Sequence, residues 1–292
     1  MKSLAFHLHA LSALHVGIGQ AIGTVDLPIA RERATQLPFV PGSAIKGVLR
    51  ATCSDRPHAT ALFGPESIRS NDDAFAGALA IGDARLLLLP VRSLAGVMAW
   101  ATCPFVLRRY ADDLKLLGRE TPRLPDLVPG HARVGVGSSL YVGRSGKLVL
   151  DDLDIDAQED ASAQAWAKHF REVLFPGDAG AERHFDPRFV VLADDEFVFL
   201  AETGTEVRAR VRIDPQSGTV KQGALWYEEN LPAESVLWGL IGVGPSREPK
   251  QAADAGAMAE AFRAAVGTHR SLQLGGKASV GRGLVRFRLL EA

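Results

Sequence analysis

The chain has 292 residues, 47% hydrophobic and 23% charged, enough to bury a sizeable core as one large domain or two small ones. No apolar run approaches the length of a membrane span, and residues 1–20 carry no signal-peptide pattern, so no membrane partner is expected. Two isolated cysteines, Cys53 and Cys103, argue against a disulfide framework or zinc knuckle and fit a reducing cytoplasm.

The net charge of −1 alone argues against a nucleic-acid binder, but its distribution does not. Residues 151–200 hold 13 acidic and 4 basic side chains, so the rest of the chain is strongly positive. A chain divided this way presents one acidic and one basic face.

In chain order, residues 4–15 alternate as a strand through Leu4, Phe6, Leu8 and Ala10. Residues 16–42 form a long Gly/Pro-punctuated loop. Ser43 is the expected N-cap of a helix with Ile45, Val48, Leu49 and Thr52 on one face. A buried strand is expected at 86–91, then a helix over 93–117 broken or kinked at Pro104. Residues 118–133 read as an exposed connector. Residues 134–150 read as a hairpin turning at Arg144–Lys147, and 160–174 as an amphipathic helix on Trp166, Phe170 and Leu174. Residues 189–241 read mainly as strands and 252–267 as an Ala-rich helix. Strands with irregularly interposed helices indicate an α+β fold. The β-α-β start and the β-α-β end point to a ferredoxin-like core.

Three segments carry chemistry. Near the C-terminus, Gly275, Gly276, Gly281 and Gly283 surround Lys277 and Arg282 between two strands. Glycines permit a close backbone approach, and N–H groups beside cations suit phosphate. No Lys-Ser/Thr pair opens a helix there, so it is not a P-loop. Near the N-terminus, Lys46 and Arg50 share the first turns of the helix after Ser43, where the dipole already favours an anion; Gly47 between them leaves room for a backbone. In residues 207–213, alternation puts Arg208, Arg210 and Arg212 on one face and four apolar residues on the other. A turn at 214–218 and a return over 219–227 complete a hairpin.

Taken together, these segments resemble the RAMP superfamily of CRISPR-associated proteins, and within it the backbone subunits of type III-B (Cmr) RNA-targeting effector complexes. The resemblance rests on His15-Val16-Gly17, Val25-Asp26-Leu27-Pro28-Ile29, Arg31-Glu32-Arg33, Pro41-Gly42-Ser43 with Lys46-Gly47, and Leu62-Phe63-Gly64. It continues through 83–93, Tyr227-Glu228-Glu229 and the final glycine loop, and is weakest over 111–190.

The resemblance implies a modified ferredoxin-like (RNA-recognition-type) palm over about 1–110 and 225–292, an inserted fingers region over about 111–190, and a thumb β-hairpin over about 200–227. It implies copies of the chain stacked along a guide (CRISPR) RNA beside other Cmr complex subunits. It further implies single-stranded target RNA cut every six nucleotides by an aspartate loop with a divalent metal ion, Mg or Mn. By position in the motif that aspartate, and metal ligand, is Asp26. His15 is a candidate acid or base and Glu228 a third candidate catalytic group, while Arg31 and Arg33 are cations beside Asp26. The expected RNA-binding set is Ser43, Lys46, Arg50, Arg208, Arg210, Arg212, Gly275, Gly276, Lys277, Gly281 and Arg282. Competing readings are a non-catalytic structural RAMP subunit, a metal-free guide-processing endoribonuclease with His15 as base, and a nucleotide-binding enzyme using the terminal loop.

Overall fold

The computed structural model describes residues 1–20, 25–53, 56–67 and 74–290. The first part of the chain comprises β1 (Lys2–Ala10), β2 (Phe39–Val40), α1 (Gly42–Thr52), α2 (Arg56–Phe63), β3 (Leu79–Ile81), β4 (Ala84–Arg92), β5 (Met98–Thr102) and α3 (Pro104–Lys115). The middle comprises β6 (His131–Val134), β7 (Lys147–Leu150), β8 (Leu153–Glu159), α4 (Ala161–Leu174), α5 (Ala181–His184), β9 (Phe189–Leu192) and α6 (Asp194–Thr203). The last part comprises β10 (Glu206–Ile213), β11 (Val220–Asn230), β12 (Val236–Val243), α7 (Ala255–Val266), β13 (His269–Gln273) and β14 (Leu284–Leu289).

Every residue of β1 from Leu4 to Ala10 is buried, because both faces are covered: His7 meets Tyr110 of α3 and His9 packs on Phe175, and α7 also packs on this strand. Its neighbours are β12 and β14, both antiparallel. The large sheet runs β13-β14-β1-β12-β4-β5-β9-β6-β8-β7, with β2 on β4 and β3 on β12. Among the described strands, only β5–β9 and β6–β8 are parallel pairs. Hence the α+β expectation holds: one mixed, mostly antiparallel sheet with helices packed against it. A single core runs from Leu4 to Leu289 and includes Tyr110, Trp166, Phe170 and Phe189 from the middle of the chain. Among the described residues, no helix is long and apolar enough to cross a membrane.

Four expectations give way here. Residues 93–103 are not helical: Gly96 and Val97 take positive φ (73° and 74°), the chain turns, and β5 pairs back onto β4. A short apolar run fits a buried strand as well as a helix, and the turn decides it. The helix that follows starts at Pro104, a favoured first-turn position. Ser43 is not the N-cap; α1 begins at Gly42, whose N–H is met by Asp83 Oδ1 at 2.8 Å. A Cβ at Gly42 would collide with the Ile81 carbonyl, so α1 starts pressed against β3. Within 189–241, residues Asp194–Thr203 form α6, with three acids in the first turn. The turn at Arg144–Lys147 is present, closed by Val142 N–H to Lys147 O (3.0 Å). However, β7 pairs with β8 rather than with β6.

The expected hairpin at 207–227 is β10–β11. It stands apart from the large sheet as its own two-stranded ribbon, with a register shift between Val211 and Ile213.

Candidate nucleic-acid interface

The base of the β10–β11 ribbon gathers the expected groups. The segment carrying Asp26 lies alongside β11: Leu27 bridges Glu228, its N–H reaching Tyr227 O (3.1 Å) and its carbonyl accepting from Glu229 N–H (3.0 Å). Asp26 itself is exposed, and its Oδ2 accepts the Tyr227 main-chain N–H at 2.8 Å. Its other oxygen stays open among the described residues. Gly23 and Thr24, which precede it in the motif, lie outside the described residues.

Beside it, Glu229 ties the same segment down. It accepts from Ile29 N–H (3.0 Å), Arg31 (2.5 Å) and Thr205 Oγ1 (2.9 Å). Arg31 also reaches the carbonyls of Gln36 and Ala201, so this guanidinium is spent inside the fold. Arg33 is exposed.

His15 is 6% exposed. Its Nδ1 lies 2.7 Å from the Glu229 carbonyl, which only accepts, so Nδ1 carries the proton and Nε2 presents a lone pair in the neutral ring. Nε2 has no hydrogen bond among the described residues. Gly17 makes room for it: a Cβ there would lie 2.7 Å from Nε2.

The terminal glycine loop packs on the same strand of chain. Gly276 N–H donates to His15 O (2.9 Å) and Gly283 N–H to Ala13 O (2.9 Å). Gly275 (φ 74°) and Gly283 (φ 79°) are required by this packing, since a Cβ would meet the carbonyls of His15 and Leu274 respectively. Gly281, by contrast, faces open space. Close approach of a ligand is therefore not what every glycine of the loop is for.

Glu228 is the node that joins loop to ribbon. It is 2% exposed. Its Oε1 accepts from Lys277 Nζ (2.8 Å) and Trp226 Nε1 (2.8 Å), and its Oε2 from Arg210 Nε (3.2 Å). Burial pushes its carboxyl up, but the hydrogen bonds from Lys277, Trp226 and Arg210 outweigh this and bring it down to about 2. Arg282 is 8% exposed, and its Nε is buried with no acceptor among the described residues. Burial, then the charges of Arg208 and Arg210, lower its pKa. Arg208 is held by Glu206 (2.6 Å), while Arg212 is exposed. The opposite face of the ribbon shows Val207, Val211, Ile213, Val220, Leu225 and Tyr227 to solvent.

The α1 group is less constrained. Ser43 is exposed, and Lys46 and Arg50 are half-buried; Arg50 reaches Pro65 O at 3.5 Å. No atom lies within 4 Å of where a Gly47 Cβ would be, so space above it is open. No described contact joins this group to the Asp26 cluster. Sequence reasoning missed Trp226 and the Tyr227 N–H as supports. Alternation along β11, which sends Glu228 and Glu229 to opposite faces, was the available signal.

The RAMP superfamily model matches residues 7–286. The chain belongs to the RAMP superfamily. A curated relative, the CRISPR system Cmr endoribonuclease Cmr4 of Pyrococcus furiosus, is 34% identical over all of this chain and 97% of its own length. Among solved structures, oligomeric Cmr4 from Pyrococcus furiosus superposes with a TM-score of 0.75 at 29% identity, covering 100% of this chain and 99% of that one. A chain of the type III-B Cmr-beta complex bound to cognate target RNA gives 0.73 at 18% identity, covering 99% of this chain and 97% of that one. That second likeness concerns the RAMP fold alone.

Proposed function

We propose that this RAMP protein is the backbone subunit of a type III-B CRISPR effector complex, working in the cytoplasm. It holds guide RNA along a filament of its own copies and cleaves complementary target RNA at regular intervals. The order β14-β1-β12-β4, with α1 after β1 and α7 after β12, supports a ferredoxin-like palm. The strands beyond β4, with the 111–190 segment, are then the fingers, and β10–β11 the thumb. The sheet ends carry opposite charge: β8 exposes Asp154 and Asp156 at one end, and β14 carries Arg286 and Arg288 near the other. Such polarity suits heterologous, head-to-tail stacking.

The observation that carries the activity is Asp26 seated at the thumb base with one open carboxylate oxygen. In RNA cleavage without an external nucleophile, the 2′-oxygen loses its proton, attacks phosphorus and expels the 5′-oxygen. The products are a 2′,3′-cyclic phosphate and a 5′-hydroxyl. Asp26 takes the 2′-hydroxyl proton. His15 and Asp26 are anchored to β11 two residues apart, roughly 7 Å. In this reading the imidazolium form of His15, carrying a second proton on Nε2, gives that proton to the departing 5′-oxygen. Glu228, held ionised, positions Lys277 and Arg210 rather than moving a proton, and Lys277 with Arg282 faces the phosphate charge.

Among the described residues, no three His, Cys, Asp or Glu side chains converge on one point. Glu228 and Glu229 are taken up by cations, which leaves Asp26 as the open carboxylate. This donor set fits an Mg or Mn ion shared between one protein carboxylate, RNA phosphates and water. Bound there, the ion would neutralise charge on the reacting phosphate. The test is Asp26→Ala in a reconstituted complex: assembly on guide RNA persists and target cleavage is lost. Wild-type cleavage by that complex would refute the assignment.

A further inference from the structure

At the open end of the β13–β14 hairpin, opposite the glycine loop, a cleft of about 650 Å³ separates this hairpin from α3 and α4. Its polar floor is Tyr110, whose hydroxyl lies 3.1 Å from His7 Nε2 and 3.3 Å from His169 Nε2. His7 is sealed off from solvent, and its Nδ1 has no partner among the described residues. Two guanidiniums, Arg119 and Arg288, line the cleft, and the charge of both reaches His7. Arg119 has neither a hydrogen-bond acceptor for its side chain nor a carboxylate partner among the described residues.

Two acids share the lining, but neither pairs with Arg119 among the described residues. Glu172 is largely exposed and turns to Lys168 at 3.9 Å, and Glu120 is exposed. The imidazoles do not add positive charge. Burial, then neighbouring charge including Arg119 and Arg288, brings His7 down to about 3. Burial also brings His169 down to about 4. Arg119 is therefore the cation that the cleft offers to a ligand. Leu114, Val173, Pro176 and Leu290 form an apolar side of the cleft, and Thr268 and His269 lie elsewhere in its lining. An unpaired cation beside an apolar wall, in a volume typical of small-ligand sites, suits a phosphate joined to a flat organic body.

We propose that this cleft is a second binding site, separate from the RNA face, for an organic phosphate of mononucleotide size whose phosphate sits on Arg119. Neither the RNA reading nor Asp26 enters this argument, so the two stand or fall separately.

Calorimetric titration of the full-length protein with AMP and with inorganic phosphate tests it. One saturable AMP site is expected, with phosphate weaker. Arg119→Ala should weaken AMP at least tenfold, with Arg119→Lys partly restoring it and Lys277→Ala leaving it unchanged. The imidazole signals of His169 should shift with AMP in the wild type and not in Arg119→Ala. A 5′-phosphorylated RNA that competes with AMP where its 5′-hydroxyl twin does not would make the ligand a strand end. Equal failure of both RNAs would make it the free nucleotide. The proposal is overturned if AMP shows no saturable binding at millimolar concentration, if Arg119→Ala binds it as well as wild type, or if Lys277→Ala abolishes it.

Discussion

Tyr227 donates its main-chain N–H to Asp26 Oδ2, linking residues 201 positions apart at 2.8 Å. The acid is thus fastened to the base of the ribbon, and the ribbon to the glycine loop through Glu228 and Lys277. A displacement of the ribbon would reach the carboxylate through this bond.

Gly17→Ala tests the role of His15 without touching the imidazole chemically. The new methyl would lie 2.7 Å from Nε2, so the ring must move. Misplacement of a catalytic group by about 1 Å costs up to roughly 10²-fold in rate. Cleavage should fall by about that factor, with guide-RNA affinity and melting temperature little changed. Cleavage at the wild-type rate would assign His15 to packing.

Glu228→Gln separates anchoring from proton transfer. The carboxylate is ionised at every working pH, so the neutral amide should lower RNA affinity by freeing Lys277 and Arg210. It should not alter the shape of the pH–rate profile. A pH–rate limb that disappears in Glu228→Gln would mean that Glu228 titrates during catalysis.

Acid should destabilise the protein early. His7 and His169 have folded pKa values of about 3 and about 4, below the unfolded 6.5. Stability is therefore complete above pH 6.5 and is lost as pH falls, because the unfolded chain binds protons first. The slope is up to about 1.4 kcal/mol per pH unit for each imidazole. Glu228 adds its own loss only as pH falls from about 4.5 toward 2. Denaturant melts between pH 7 and 4 should show this slope, and His7→Phe should flatten it. An unchanged slope in His7→Phe would contradict a neutral buried His7.

Neutral replacements of Lys277 and Arg282 should each reduce the salt dependence of guide-RNA binding by about 0.7 log units per log unit of salt. Lys46→Gln and Arg50→Gln should act likewise if α1 shares the RNA track. Unchanged slopes across all four would place the RNA elsewhere.

Much of this arrangement could be read from local signals. The β10–β11 ribbon was legible because its alternation is undiluted by tertiary packing, and the final loop because glycines at positive φ have few substitutes. What failed depended on distant partners. Residue Ser43 looked like a cap, yet Asp83, forty residues on, meets the Gly42 N–H. The acids opening α6 were a helix signal overlooked inside a strand-rich stretch, and Asp194 among them accepts the Phe105 N–H of α3 (2.9 Å). Asp26, His15 and Glu228 were found individually, but their meeting along β11 comes from bridges across some 200 residues that no local pattern encodes.

The most direct measurement is the cleavage ladder of a long complementary target RNA in a reconstituted complex carrying Asp26→Asn, which keeps the shape that meets the Tyr227 N–H and removes the charge. The wild type should give products stepped at a constant interval of six nucleotides. The variant should bind guide and target as tightly and lose the whole ladder, a fall of roughly 10²-fold or more in rate. An intact ladder from the variant, or wild-type cuts scattered by sequence, would contradict Asp26 as the repeated cutting group of a stacked backbone.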